Sequence, residues 1–294
     1  MLHPASSAGD QMPRFKVTIE YQGTRYSGWQ VQKNARTVQG EILAELGKAT
    51  GETEIELYGS GRTDAGVHAL RQVAHLELRH SPPPNRLRQQ LNDGLPSDIH
   101  ILSIEPVDPR FHARHHAVAR SYLYQISRRR TAFGKKLIWW VKEDLDLERM
   151  RRTAALFVGM KDCRSFSAED GEEKSAKVLI DRVQIAEAGS LILIRIEGSH
   201  FLWKMVRRIV GVLVEAGKGK LMNSEIARFF EEKSERVAAL AAPVSGLFLE
   251  RVYYEGEPRP ERLDPVLAIA PEVPAPSARH SGKCRFTHRR GQSQ

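Results

Sequence analysis

The stretch Phe15-Lys16-Val17-Thr18-Ile19-Glu20-Tyr21 opens a pattern that the chain writes twice. Its apolar residues fall on every second position, the period of a strand with one buried face. Thr37 then stands where it can cap a helix carrying Val38, Ile42, Leu46 and Ala49 on one stripe. Strand-like stretches follow at 54–59 and 72–79, the second with Ala74, Leu76 and Leu78 on one face. After Pro82-Pro83-Pro84 a helix sets Leu87 and Leu91 four residues apart, and a strand is expected near 99–107. The order is β-α-β-β-α-β.

The second half repeats it. A strand over 117–127 carries Val118, Tyr122, Tyr124 and Ile126, and a helix over 145–160 aligns Leu147, Met150, Ala154 and Phe157. Strands at 177–187 and 191–198 flank the tight Ala188-Gly189-Ser190 turn. Helices over 202–216 and 224–232 and a strand over 247–254 close the body. The fold class read from this is α+β: two ferredoxin-like (RRM-like) halves forming one long antiparallel sheet, with helices on one side and a platform or cleft on the other. The halves differ in sequence, so the repeat is one of topology.

Residues 1–13 read as a disordered leader, 14–110 and 111–255 as the two halves, and 256–294 as a proline-rich linker with a basic, disordered tail. Six of the chain's 15 prolines fall in 256–276, and proline sustains neither helix nor ladder, so the fold is expected to stop near Tyr254. A hydrophobic content of 41% suffices for a packed core. No run of eighteen apolar residues suggests a membrane span, and the first residues lack the apolar region of a secretion signal. Two cysteines, Cys163 and Cys284, make neither a disulfide framework nor a four-thiolate zinc site. A reduced, cytoplasmic, metal-free protein is expected. Of the net charge of +9, more than half sits on Arg279, Lys283, Arg285, Arg289 and Arg290, leaving a mildly basic body compatible with a nucleic-acid partner.

The densest chemistry is Tyr58-Gly59-Ser60-Gly61-Arg62-Thr63-Asp64-Ala65-Gly66-Val67-His68-Ala69. A dinucleotide fingerprint needs glycine where Asp64 stands and a helix after it; a P-loop needs a Gly-Lys-Ser/Thr that is missing. What remains is one carboxylate beside Arg62, on a glycine-rich connection that another backbone can approach closely. By itself this reads more naturally as an Asx-type turn with Asp64 capping local amides.

The string Gly61 to Ala69 resembles the catalytic motif of the bacterial tRNA pseudouridine synthase A family. Tyr21-Gln22-Gly23-Thr24-Arg25-Tyr26-Ser27-Gly28-Trp29-Gln30 resembles the family's first block, and Thr37-Val38-Gln39-Gly40-Glu41 its helix start. Phe111-His112-Ala113-Arg114 and Arg120-Ser121-Tyr122-Leu123-Tyr124 resemble its central block. Phe201 to Gly211 resembles its late helix, and Pro243 to Leu247 with Val252 and Tyr254 its closing strand. Five blocks in family order span nearly the whole body. Departures are Cys163, Lys177, Trp203 and Lys204, and the proline-rich segment and tail lie outside the resemblance.

The resemblance implies isomerisation of uridine to pseudouridine in the tRNA anticodon arm, at positions 38, 39 and 40, with the cleft taking RNA and two subunits sharing one tRNA as a homodimer. The N1–C1′ bond breaks, C5 joins C1′ and the C5 proton leaves, so atoms are conserved and no nucleotide, metal or redox cofactor is called for. It implies Asp64 as the catalytic carboxylate, able to attack C1′, attack the uracil ring or take a ribose proton. Arg207 resembles the arginine that pairs with that carboxylate; its plainer reading is a solvated helix charge. Tyr122 resembles the tyrosine lying against the uracil, its hydroxyl suited to the C5 proton step; an isolated strand tyrosine is more often core, as Tyr124 is expected to be. Arg62 is the candidate to hold a flipped base, and Arg114, Arg120 and Arg128 to Arg130 are candidates for phosphates, the last three reading better as a solvated loop.

His112, His115 and His116 lack the spacing of a helical zinc motif, and His112 is expected to be structural. A rival from another class is a non-catalytic RNA-binding module or tRNA-folding chaperone. Asp64 separates the two, because a pure binder gains nothing from a carboxylate facing a polyanion. A nuclease needs paired metal-binding carboxylates, which the sequence does not cluster.

Overall fold

The computed structural model describes residues 12–168 and 175–270; the leader up to residue 11 and the basic stretch 277–294 lie outside these. The elements run β1 (Arg14–Tyr21), α1 (Val38–Thr50), β2 (Glu56–Gly59), β3 (His68–Glu77), α2 (Pro84–Gly94), β4 (Ile99–Pro106), β5 (Ala119–Ser127), β6 (Trp139–Trp140), α3 (Leu147–Ala154), β7 (Gly159–Asp162), β8 (Lys177–Ala188), β9 (Leu191–Gly198), α4 (Met205–Gly217), α5 (Asn223–Glu231), α6 (Arg236–Ala239) and β10 (Leu247–Tyr253). The class is α+β, and all ten strands join one sheet in the order β4-β1-β3-β10-β5-β9-β8-β7, with β2 on β3 and β6 on β5.

Local sequence explains the elements. In β1 the period-2 apolar residues are the buried ones, as the alternation requires. Thr37 caps α1, its Oγ1 accepting from Gly40 N at 3.2 Å. Asp146 caps α3 by accepting from Arg149 N at 2.9 Å. That helix stops earlier than periodicity suggests: α3 tightens into a 3-10 turn over Ala155–Phe157, and Gly159, at φ +96°, then opens the short strand β7.

Register places one row of side chains on one face across six strands. Tyr21 pairs with Ala69, Ala69 with Leu249, Leu249 with Tyr122, Tyr122 with Ile196, and Ile196 with Val183. Paired residues share a face. At one end this face packs under Val38, Ile42 and Leu46 of α1 and Leu87 and Leu91 of α2. At the other it packs under Met150 of α3 and Ile209, Val210 and Leu213 of α4. Tyr122 touches both clusters, so it marks the gap between two helical groups on the same side.

Two expectations need correction. The cleft does not lie on the helix-free side: Tyr122 faces the helices, and the opposite face is closed by Leu123, Leu191, Leu193 and Phe248 under Ile138 and Ile269. Residues 256–270 are also no linker. They cross that opposite face as an extended strap, with Leu263 and Leu267 packed on the same cluster. Proline removes donors, but a strap needs acceptors and apolar side chains instead. Arg195, 2% exposed, grips Glu250 with two bonds at 2.6 and 2.7 Å and donates to Pro260 O and Arg262 O at 2.9 Å each. Val266 N donates to Gln125 Oε1 at 2.7 Å. The long sheet is antiparallel except at β3·β10 and β5·β6, which are parallel.

Candidate active site

The gap between the helical groups is a cleft of ≈ 570 Å³, and Asp64, Tyr122, Arg62, Arg207 and Arg114 all line it. One wall is the 60–67 connection between β2 and β3, the floor is Tyr122 of β5, and the other wall is the run from His200 into α4.

The Asp64 loop is held from beneath. Ser60 N donates to Val73 O at 2.7 Å, and Val67 N closes a turn on Asp64 O at 3.1 Å. Gln72 accepts from Ser60 Oγ at 2.9 Å and donates to Gly61 O at 3.0 Å. Thr63 and Tyr21 share a buried hydroxyl–hydroxyl bond of 2.8 Å, worth about 1 kcal/mol net. The block 23–29 clamps the outer side: Trp29 N donates to Thr63 O at 3.1 Å and Gly66 N to Tyr26 O at 3.3 Å. Gly23 N donates to His68 Nδ1 at 3.0 Å, an approach so close that a Cβ on Gly23 would fall 1.9 Å from Val67 O.

Arg207 is positioned by α4. Its Nε donates to Ala242 O at 2.6 Å, and its own carbonyl accepts from Ala242 N at 2.9 Å. This needs the 240–242 segment against the helix, where a Cβ on Gly211 would stand 1.6 Å from Leu240 O. The glycine inside the helix is a contact requirement.

Electrostatics then act on Asp64. Half-buried, its carboxyl is raised above the ordinary carboxylate value by desolvation, against the pull of the Arg207 charge, the neighbouring Trp203 side chain and the Lys204 charge. Burial pushes the Tyr122 phenol up to about 12, with the Arg120 charge opposing, so it keeps its proton at neutral pH.

Arg120 has a different place from the one expected. Its guanidinium donates to Ser199 O and Arg114 O at 2.8 Å each, Ala117 O at 3.1 Å and Ser60 O at 3.2 Å. It therefore ties the Asp64 loop, the approach to β5 and the end of β9 together. Arg62 and Arg114 are exposed on the rim. Tyr124 is core, its hydroxyl donating to Pro243 O at 2.7 Å. Arg128 pairs with Glu187, and Arg129 donates to Ala270 O. His112 caps a turn, Nδ1 accepting from Arg114 N at 3.2 Å and His115 N at 3.3 Å. Sequence reasoning passed over Trp203 and Lys204 as site residues; their position immediately before the arginine helix was the available signal.

Among the described residues that line the cleft, Arg62, Arg114, Arg120, Lys204 and Arg207 accompany a single carboxylate, Asp64. Such a lining favours an anionic ligand and isolates the carboxylate for chemistry.

A family model described as tRNA pseudouridine synthase matches residues 17–116 and 153–255. The chain is 40% identical over 248 residues to the tRNA pseudouridine synthase A 1 of Protochlamydia amoebophila, covering 83% of this chain and 97% of that protein. It is 38% identical over 256 residues to the tRNA pseudouridine synthase A of Agrobacterium fabrum, covering 85% and 96%. It is 40% identical over 245 residues to the tRNA pseudouridine synthase A of Acetivibrio thermocellus, covering 83% and 100%.

Proposed function

The chain belongs to the tRNA pseudouridine synthase family, isomerases of tRNA uridine, and from that premise we propose that it converts uridines of the anticodon arm, at positions 38, 39 and 40, with Asp64 as the catalytic carboxylate. The observation that carries the reading is Asp64, the one carboxylate among the described residues lining a cleft of cations, on the seam where the two helical groups part.

The residues divide the work as follows. Arg62 and Arg114, exposed on the rim, take phosphates of the arm, and Arg62 holds the flipped nucleotide out of its stack. The uracil lies against the Tyr122 ring. Asp64, ionised, assists rupture of the N1–C1′ bond from the sugar side, and Arg207 favours its charged form. C5 then bonds to C1′, and the C5 proton leaves toward the Tyr122 oxygen, which passes its own proton on because its phenol is protonated at rest. N1 gains a proton, so atoms and electrons balance without a co-reactant. The resemblance also supports a homodimer in the cytoplasm, and sedimentation equilibrium tests the stoichiometry.

The test is tritium release from a tRNA transcript labelled at C5 of uridine, with wild type beside Asp64→Ala. Release by wild type and none by a folded variant that still binds tRNA is expected. Equal release by both removes Asp64 from the chemistry. Tyr122→Phe should bind tRNA normally and lose turnover; full turnover would leave Tyr122 a packing residue.

A further inference from the structure

The chain leaves β5 at Ser127 and returns alongside it as β6, and the loop between them carries Arg128, Arg129, Arg130, Lys135 and Lys136. No Asp or Glu falls between Arg128 and Glu143. The loop is held at its base, where Arg128 N donates to Ser190 O at 3.0 Å and Val141 N to Ser127 O at 3.1 Å. Arg129 Nε donates to Ala270 O of the strap at 3.0 Å. The tip turns at Gly134, φ +68°, and Leu137 N closes that turn on Gly134 O at 2.7 Å. Leu267 of the strap packs there so closely that a Cβ on Gly134 would stand 2.2 Å from its Cδ2.

This frame presents rings and cations together. Phe133 is 77% exposed and Trp140 42%, with the Arg130 guanidinium 6.0 Å from the Trp140 ring centroid. Arg128 is paired with Glu187, but Arg130, Lys135 and Lys136 are exposed and, among the described residues, paired with no carboxylate. A solvated run of charges needs no large ring in water beside it, and leaving one there forgoes the gain of burial. Unpaired nucleic acid uses both parts: cations take its phosphates, and a ring takes an unstacked base.

The loop also adjoins the cleft. His68, next to Val67, donates from Nε2 to Lys136 O at 2.9 Å, and Ser245 Oγ donates to Ile138 O at 3.3 Å. Val67 and Leu247 line the cleft beside these two anchors, so a polyanion leaving the cleft past them meets more charge of the same sign. We propose that the 128–140 loop is a second RNA-contact surface, continuous with the cleft, where Arg130, Lys135 and Lys136 take phosphates and Phe133 stacks on an unpaired base of the same tRNA. The inference rests on the cleft taking RNA and adds a contact outside the reacting site. That continuity of charge with the cleft favours RNA over a lipid surface or an acidic protein as the occupant.

The experiment is filter binding of a tRNA transcript from about 50 to 300 mM salt, with single-turnover tritium release from the same transcript labelled at C5 of uridine. Beside wild type stand the triple variant Arg130→Gln, Lys135→Gln, Lys136→Gln, then Phe133→Ala, Phe133→Trp, and a chain lacking 271–294, which keeps the cations of that stretch from being mistaken for those of the loop. The triple variant should bind about tenfold more weakly, with the slope of log affinity on log salt shallower by about 2, from three contacts at about 0.7–0.9 each. Phe133→Ala should also lose about tenfold, but with the slope unchanged, because a stacked base releases no counterions; Phe133→Trp should bind as wild type does. All three carry exposed substitutions, so Tm should stay within about 2 °C, and release at saturating enzyme within about twofold. Affinity within about twofold of wild type in both the triple variant and Phe133→Ala overturns the proposal, and so does a loss confined to the triple variant, the mark of diffuse attraction. A loss found only in the chain lacking 271–294 overturns it as well. Wild type that binds tRNA through the loop yet releases no tritium would defeat the Asp64 reading and leave this one standing; release with binding indifferent to the loop would do the reverse.

Discussion

Replacing Gly23 by alanine puts a Cβ 1.9 Å from the Val67 carbonyl oxygen and 2.6 Å from its carbon. Non-bonded carbon and oxygen approach to about 3.3 Å, so one backbone must retreat by more than about 1 Å. Neither is free to do so. Gln22 N is bonded to Asp98 O at 2.9 Å and Gly23 N to His68 Nδ1 at 3.0 Å, while Val67 N is bonded to Asp64 O at 3.1 Å. The displacement therefore travels through that turn to the carboxylate. Overpacking of this kind costs about 1–3 kcal/mol of stability, and a shift of about 1 Å at a reacting group costs on the order of a hundredfold in rate. Single-turnover tritium release should fall by that factor, with tRNA affinity within about threefold and a cooperative urea transition at lower midpoint. Gly47→Ala is the control: its nearest neighbour would be Glu52 O at 3.4 Å, and in a helix interior alanine should add up to about 1 kcal/mol with the rate unchanged. A folded Gly23→Ala enzyme running within a few-fold of wild type would refute the reasoning that the 23–29 block sets the carboxylate.

Three further outcomes are expected. Arg120→Met removes donors from four backbone carbonyls and should lower stability in urea by about 2–3 kcal/mol; a smaller loss than about 0.5 kcal/mol would mean that water replaces the guanidinium without cost. Asp64 has its folded pKa raised by burial, so its contribution to stability is present below the unfolded carboxylate pKa and is lost as pH rises through the folded value. Asp64→Asn should accordingly melt higher than wild type at pH 7, the gap closing toward about pH 3, and calorimetry showing no gap at pH 7 would contradict it. Deleting residues 258–294 strips the cover from Leu191, Leu193 and Phe248 and should lower Tm and raise binding of an apolar dye, whereas deleting 271–294 should do neither.

Much of this was legible beforehand where a single period dominates. The alternation of β1, the stripe of α1 and the hairpin of β8 and β9 are local signals, and they describe real elements. The side on which the cleft opens was not, because it depends on which strands neighbour one another. Only the pairings Ala69–Leu249 and Leu249–Tyr122 reveal that Tyr122 shares its face with both helical groups. The strap was missed for a related reason. Proline density speaks against ladders and helices, but the acceptors that Arg195 needs are supplied by any extended chain. Arg120 read as a candidate for tRNA phosphates, since nothing in its neighbours announces four carbonyls converging from 60 to 199. In the candidate site, Asp64, Tyr122 and Arg207 were named through resemblance, and the cleft that gathers them lies between segments far apart in the chain.

Among the described strands, the central one of the sheet is the last to be synthesised. β10 sits between β3 and β5, yet it leaves the ribosome about 170 residues after β3 does. At roughly 5–20 residues per second, the β3 edge stays open for about ten to thirty seconds, and the β5 edge, which ends 120 residues before β10 begins, for about six to twenty-four seconds. Until Leu249 slots between Ala69 and Tyr122, the two helical groups have no common platform. Unpaired edges of this length invite pairing with other chains, so the newborn protein is most exposed to misassembly just before β10 emerges. A nascent chain paused before residue 247 should be the form that a holdase chaperone or an aggregation screen captures, and release past residue 253 should end that capture abruptly.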